Sequence, residues 1–128
     1  MPIHHDMLGA IPTHSDRTFI ALADEALGAR SCSVHENVLN PDAAVPWHQH
    51  AVEEIIVCLS GMGECTFHGG APEEYRAGSV LVIPPNTPHT LRNIGTERLV
   101  QLAVLCGASP GTRWIEPEGS VAKKAWHP

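Results

Sequence analysis

The stretch PWHQHAVEEIIVCLSG, Pro46–Gly61, places two histidines and two glutamates directly before an apolar run that ends at a glycine. The run at 54–60 is short and rich in β-branched side chains, which predicts a strand buried on both faces. Because residues i and i+2 of a strand point to the same face, His48 and His50 project together, about 6–7 Å apart. Two imidazoles at this separation are able to bind one metal ion.

The two glutamates have different predicted roles. Glu54 begins the apolar strand four residues after His50, and a short bend would bring its carboxylate back to the imidazoles. Glu53 then faces outward as a solvated carboxylate, although a shift of one residue in the strand register would exchange the two.

A third histidine follows a backbone that prolines restrict. His89 lies in GSVLVIPPNTPHTLRN, residues 78–93, after Pro84, Pro85 and Pro88. Such a loop is suited to holding one side chain in a fixed position. His89 also begins a predicted strand, so its imidazole can enter an interior that the first histidines and Glu54 already line.

A metal ion would satisfy these groups. Three imidazoles and a carboxylate inside an apolar protein are costly unless they are paired, and one divalent ion pairs all of them. Nitrogen and oxygen donors of this kind favour Mn, Fe, Ni, Cu or Zn over Ca or Mg. On a six-coordinate ion they leave two positions open, whereas a tetrahedral Zn would be closed and structural. We therefore predict one divalent transition metal, bound by His48, His50, Glu54 and His89.

These residues form two spaced motifs, and with them the chain resembles the cupin superfamily, in its small single-domain "cupin 2" type. The pattern H-x-H-x3-E-x6-G comprises His48, His50, Glu54 and Gly61. The pattern G-x5-P-x-N-x2-H-x3-N comprises Gly78, Pro84, Asn86, His89 and Asn93.

The resemblance implies an all-β fold, a double-stranded β-helix or jelly-roll barrel, with the metal inside and a homodimer as the assembly. The sequence departs from the motifs at two positions where the family usually has glycine. Asp42 stands at the first, and Asn86, which tolerates a left-handed turn better than most residues, stands at the second. Neither position is a metal ligand.

The rest of the chain predicts short strands separated by glycine and proline, as in a sandwich or barrel. We expect one domain over residues 1–128, with a motif core at 42–93, an irregular N-terminal arm at 1–16 and an irregular C-terminal tail at 107–128. Residues 17–24 are either a strand or a short helix. Further strands are predicted at 32–39, 54–60, 64–69, 79–84, 89–95 and 98–106.

Composition excludes several classes of protein. The chain has 128 residues and a net charge of −6, so nucleic acid and anionic membranes are unfavourable partners. It shows no signal peptide and no apolar stretch near the roughly 18 residues of a membrane span, and we expect a cytoplasmic protein.

The four cysteines have no C-x-x-C spacing and are predicted to be buried, reduced thiols. If Gly61 and Met62 are the central residues of a two-residue hairpin turn, Cys58 and Cys65 face each other, and a disulfide between them is conceivable although unfavoured in a reducing compartment.

Fold alone does not give function, so three hypotheses remain open. The first is a metal-dependent enzyme on a small organic molecule, with dioxygenase chemistry favoured and Glu54 as a catalytic proton acceptor. The second is a non-oxidative lyase, isomerase or decarboxylase, and the third is a non-catalytic module that binds a small ligand. Candidate pocket residues are His35, Arg92 and Gln101. The tail, with Trp114 and Trp126, would either cap the barrel or join the dimer interface.

Overall fold

A computed structural model describes residues 3–115 and, as backbone only, the strand at 121–126. The side chain of Trp126 therefore lies outside the described residues. The strands are β1 (Arg17–Ala23), β2 (Ser33–Leu39), β3 (Ala44–Gln49), β4 (Glu54–Ser60), β5 (Met62–Phe67), β6 (Glu73–Arg76), β7 (Val80–Ile83), β8 (His89–Asn93), β9 (Leu99–Leu105), β10 (Arg113–Ile115) and β11 (Val121–Trp126). A 3-10 helix at Glu25–Leu27 follows β1. Residues 17–24, for which the sequence left strand and short helix as alternatives, are therefore mainly strand.

The strands form two antiparallel sheets. One has the order β1-β2-β9-β4-β7, and the other has the order β11-β10-β3-β8-β5-β6. From β2 to β5, and again from β6 to β10, each successive strand lies in the opposite sheet, so the chain crosses repeatedly between the two layers. This is the double-stranded β-helix, or jelly roll, that the sequence predicted. No helix in the described part of the chain has the length and apolar character needed to cross a membrane.

The core lies between the sheets and follows the period of two of the strands. In β9, alternate residues are buried along its whole length. Leu99 from this strand belongs to one core cluster with Leu39, Ile56 and Ile83, and all four are at most 1% exposed. Each such side chain contributes about 1.5–3 kcal/mol through burial, which holds the two layers together.

The outward face of the five-stranded sheet differs from the prediction. The run at 54–60 is predicted to be buried on both faces, yet Ile55 and Val57 are only half-buried. Val80 and Val82 are 57% and 59% exposed, because β7 is an edge strand that turns them away from the core. The outer face of the five-stranded sheet therefore presents an apolar surface.

The hairpin prediction is wrong. β4 and β5 belong to different sheets, so Gly61 lies at a corner between layers and not in a hairpin. Cys58 and Cys65 consequently do not face each other across a ladder, and both are free, buried thiols. Burial raises the pKa of Cys65 to about 12. The expectation of burial fails for Cys32 and Cys106, which are free and exposed.

The two ends of the chain behave differently. Residues 3–16 contain no strand, as expected for an arm, and the buried carboxylate of Glu36 accepts hydrogen bonds from the backbone of Gly9 and Ala10. The tail is more regular than predicted, because β10 pairs with β3 and with β11.

Candidate metal centre

Three strands bring the predicted ligands together. His48 lies in β3 opposite His89, the first residue of β8, while His50 directly follows β3 and Glu54 begins β4. All four are buried, with exposed fractions between 0% and 4%. One ligand atom from each lies within 4.8 Å of the others. Glu53 is exposed, so Glu54 is the glutamate that faces inward.

Left-handed residues shape the two loops at the site. Asp42 and Asn86, the residues that stand where the cupin motifs usually have glycine, have φ values of 67° and 56°. The backbone N–H of Asn86 donates to the carbonyl of His50 at 2.7 Å, which joins the proline-rich loop to the first motif. The unusual backbone is therefore kept although the glycines are absent.

Backbone carbonyls orient all three imidazoles. Nδ1 of His48 is 2.7 Å from the carbonyl oxygen of Pro46, and Nδ1 of His89 is 2.8 Å from that of Thr87. Nδ1 of His50 is 2.8 Å from the carbonyl oxygen of Gly111. Since a carbonyl only accepts, each Nδ1 carries a hydrogen, and in the neutral imidazole Nε2 then presents a lone pair, as a metal ligand requires.

The atoms that face the centre of the cluster lack partners. Oε1 of Glu54 is 3.3 Å from Nε2 of His89 and 3.6 Å from Nε2 of His50. Oε1 of Glu54 and Nε2 of His89 are buried without a hydrogen-bond partner in the part of the chain that the structure describes. Lone pairs facing each other in a buried site repel unless a cation lies between them, so the donor set fits one divalent metal ion.

Burial also affects the protonation of one of the ligands, His48. Burial, followed by the neighbouring His89, lowers the pKa of His48 well below its usual range. The neutral imidazole is the form that binds a metal, so less proton competition opposes binding at this residue near neutral pH.

A cavity of about 200 Å³ adjoins the cluster. Besides His48, His50 and Glu54, its walls are formed by Arg17, Phe19, Asn37, Val45, Ile56, Leu91, Ala103, Thr112 and Trp114. The volume is below the roughly 300–1,000 Å³ of sites for drug-sized ligands, so the cavity suits a compact molecule.

The three predicted pocket residues lie in different places. Arg92 is on the outer face of β8, where its side chain is 55% exposed and its Nη2 is 3.7 Å from Oδ1 of Asp42, so the prediction that it lines the pocket is corrected. His35 is buried and stacks on Phe19 with ring centroids 4.3 Å apart, so it contacts a wall of the cavity without lining it. Gln101 is fully buried, one layer behind Asn37.

A chain of hydrogen bonds runs from the protein interior to the cavity. The hydroxyl of Tyr75 donates to Oε1 of Gln101 at 2.8 Å, and Nε2 of Gln101 donates to Oδ1 of Asn37 at 2.7 Å. Nδ2 of Asn37 donates to the carbonyl of Thr18 at 2.9 Å. Tyr75 and Gln101 thus position a cavity residue, a connection that the sequence does not reveal because Tyr75 lies in a polar, turn-rich segment.

Replacing Tyr75 by phenylalanine is expected to lower the free energy of unfolding by about 1–3 kcal/mol, since Oε1 of the buried Gln101 loses its donor. Denaturant unfolding measures the loss, and a double-mutant cycle with Gln101→Leu tests the pairing. A coupling free energy of zero between the two substitutions would contradict the hydrogen bond.

Of the twelve described residues that line the cavity, sequence reasoning missed nine, including four at the two ends of the described chain. Arg17 and Phe19 lie on β1, where the mixed pattern did not separate strand from helix. Thr112 and Trp114 lie in the segment that was predicted to be irregular, yet Trp114 pairs in register with His48 and their ring centroids are 5.3 Å apart. The one sequence signal for this wall was Trp114, because the tail that contains it was expected either to cap the barrel or to join the dimer interface.

Comparison with known proteins identifies the class. A family model described as "Cupin domain" matches residues 35–105, so the chain belongs to the cupin family. The protein is a cupin with a three-histidine, one-glutamate cluster that fits one divalent metal ion.

The curated relatives are partial matches. Auxin-binding protein 1 of Arabidopsis thaliana is 31% identical over 86 residues, which are 61% of this chain and 43% of that protein. An uncharacterized protein of Methanocaldococcus jannaschii is 39% identical over 64 residues, 49% of this chain and 48% of that protein. The chain thus spans less than half the length of each.

Similar solved structures share the fold. A conserved protein of Klebsiella pneumoniae with a double-stranded β-helix domain has a TM-score of 0.71 at 17% identity, with 89% of this chain and 90% of that chain covered. The DMSP lyase DddQ of Ruegeria pomeroyi has a TM-score of 0.73 at 23% identity, over 82% and 54%. The oxalate decarboxylase of Lactobacillus farciminis has 0.71 at 22%, over 79% and 32%. At these identities the likeness shows the fold alone.

Proposed function

We propose that the protein is a metal-dependent enzyme that acts on a compact organic molecule in the 200 Å³ cavity. The observation that carries the proposal is the junction of this cavity with a buried cluster whose donors Glu54 Oε1 and His89 Nε2 have no partner within residues 3–115. A metal site that is purely structural has no need of an adjoining cavity.

Dioxygenase chemistry is the first version of this proposal. A bound transition ion would supply redox or Lewis-acid chemistry at its open coordination positions, and four protein ligands leave room for two small molecules. Residues such as Phe19, Ile56 and Trp114 give the walls apolar surface, which reduces the water in contact with a bound substrate. Glu54 is the only carboxylate among the residues that line the described cavity, which supports it as the group that accepts a proton from the substrate.

A non-oxidative lyase or decarboxylase is the second version. It is favoured by the fold neighbours, which include a DMSP lyase and an oxalate decarboxylase. In this version the same cavity residues orient the substrate and Glu54 again moves the proton, while the oxidation state of the ion does not change.

Elemental analysis of the natively purified protein, followed by turnover assays with and without dioxygen, tests the proposal. A diketone, a catechol and a flavonol serve as probes, with oxygen consumption as the readout. Glu54→Gln is expected to abolish turnover, whereas Glu53→Gln, the exposed neighbour, should retain it. Full activity with Zn²⁺ in the absence of oxygen would select the non-oxidative version. Ligand binding that survives Glu54→Gln, with no turnover of any probe, would instead favour a binding module.

We further propose that two copies assemble into a homodimer through the outer face of the five-stranded sheet. This face carries half-buried and exposed apolar residues along its strands, including Ile55, Val57, Val80 and Val82. A second copy supplies a matching apolar face through a two-fold axis. Light scattering after size exclusion is expected to give twice the chain mass of 13.8 kDa, and Val80→Glu with Val82→Glu should shift it to one chain mass. A wild-type mass of one chain would refute the dimer.

A further inference from the structure

Arg17 brings a positive charge to the cavity wall. It lies on β1 in register with Leu39, two residues before Phe19, so both side chains lie on the inner face of the sheet. Its hydrogen bond and its ion pair within the described residues both use Nη1. This atom donates to the carbonyl of Ala44 at 3.2 Å and lies 3.6 Å from Oδ1 of Asp16. Within the described residues Nε and Nη2 have no hydrogen-bond partner, so part of the planar fork remains available to a ligand.

The charges around the cavity favour an anion. Arg17 and Glu54 are the only charged side chains among the described residues that line it, so a bound divalent ion would leave this part of the cavity wall positively charged. The chain as a whole has a net charge of −6, and the cavity is thus a local exception. Asp16 is 61% exposed, and water screens its contact with Arg17. The field inside the cavity therefore attracts a negatively charged group.

The remaining walls suit an apolar body. Val45, Ile56 and Leu91 contribute aliphatic surface, while Phe19 and Trp114 contribute aromatic surface. Asn37 adds one polar group: the hydrogen-bond chain holds its Oδ1, and one hydrogen of Nδ2 is directed to Thr18, which leaves the second hydrogen as a donor. A fixed amide, Thr112 and a guanidinium fork on a mostly apolar wall specify orientation more than bulk affinity.

From this arrangement we propose that the substrate is a compact monocarboxylate with an apolar body, and that Arg17 binds its carboxylate. The guanidinium fork matches a carboxylate in charge and planar geometry. The inference deepens the proposed function, since it concerns the same cavity, and assigns Arg17 as the residue that determines substrate class.

Calorimetry with benzoate and its neutral isostere benzamide tests the proposal without turnover. The Zn²⁺-loaded protein should bind benzoate at least about 10-fold more tightly than benzamide, since a hydrogen bond between two charged groups is stronger than one to a neutral amide. Arg17→Gln should weaken benzoate binding by about 10- to 100-fold and leave benzamide unchanged. Arg92→Gln removes the same charge from the outer face, and wild-type affinity is expected for it.

Arg17→Lys is a second variant for the case that Arg17→Gln does not fold because the contact with Ala44 is lost. It keeps the charge and removes the fork, so benzoate binding should fall between those of the wild type and Arg17→Gln. Equal benzoate affinity in the wild type and in a folded Arg17→Gln variant would overturn the proposal, since the carboxylate would then bind the ion alone. Equal binding of benzoate and benzamide would also overturn it. Turnover of neutral probes alongside either result would leave the proposed enzyme function intact, so the two failures are distinguishable.

Discussion

Replacing His89 by alanine is expected to weaken Zn²⁺ binding by at least about 100-fold, because loss of a direct ligand exceeds the 10- to 100-fold that changes in outer partners cost. The side chain is fully buried and its Nε2 faces Glu54 at 3.3 Å. The substitution removes one of four donors and leaves a gap that water fills poorly. Calorimetric titration of the metal-free protein with Zn²⁺ measures the loss.

The same substitution should remove the stabilisation that the metal provides. An ion at 1,000 times its dissociation constant stabilises a folded protein by about 4 kcal/mol, or roughly 10 °C or more in Tm for a domain of this size. His89→Ala should show almost none of this increment at the same concentration. His68→Ala, at an exposed histidine just after β5, is the matched control and should keep it. An unchanged increment in His89→Ala would show that the ion binds elsewhere.

Replacing Gly61 by alanine is expected to destabilise the protein by about 3–5 kcal/mol. Gly61 has a φ of 89°, which costs other residues about 1–2 kcal/mol. A Cβ at this position would also lie 2.7 Å from the carbonyl oxygen of Arg98 and 2.9 Å from Cα of Leu99. Both neighbours are backbone atoms at the corner between the sheets and cannot rotate away, so overpacking adds a further cost.

Gly78 provides a control with nearly the same backbone angle. Its φ is 90°, and nothing lies within 4 Å of an added Cβ. Gly78→Ala should therefore cost only the conformational part, about 1–2 kcal/mol. Denaturant unfolding of both variants separates strain from collision. Equal losses in the two would contradict the close approach of β4's end to β9.

The ligand cluster was predictable because two spacing rules act locally. His48 and His50 share a strand face, and the proline-rich loop before His89 fixes where the third imidazole enters. The convergence of these ligands depends little on the rest of the chain, apart from the strand pairing between the two motifs. Short strands with glycine or proline at each corner predicted a sandwich or a barrel, and the resemblance to cupins narrowed this prediction to the double-stranded β-helix.

The cavity was less predictable, because its walls come from strands that are distant in sequence. Arg92 shows where the period itself gives the answer: if His89 points inward, Leu91 and Asn93 also do, and Arg92 points outward. Gln101 lies on the inner side as expected, but its amide already forms hydrogen bonds with Tyr75 and Asn37. Hydrogen bonds between residues so distant in sequence arise only from tertiary packing, and no local pattern encodes them.

The carbonyl of Gly111 gives the segment after the barrel a thermodynamic connection to the ion. It accepts the hydrogen bond from Nδ1 of His50, although the two residues are far apart in sequence. Displacement of Gly111 would remove the hydrogen bond that orients this imidazole and would therefore weaken metal binding. By reciprocity, metal uptake must favour the docked arrangement of that segment to the same extent. Ion occupancy and docking of this segment are thus linked equilibria, and slower amide exchange in the segment would report on a loaded centre.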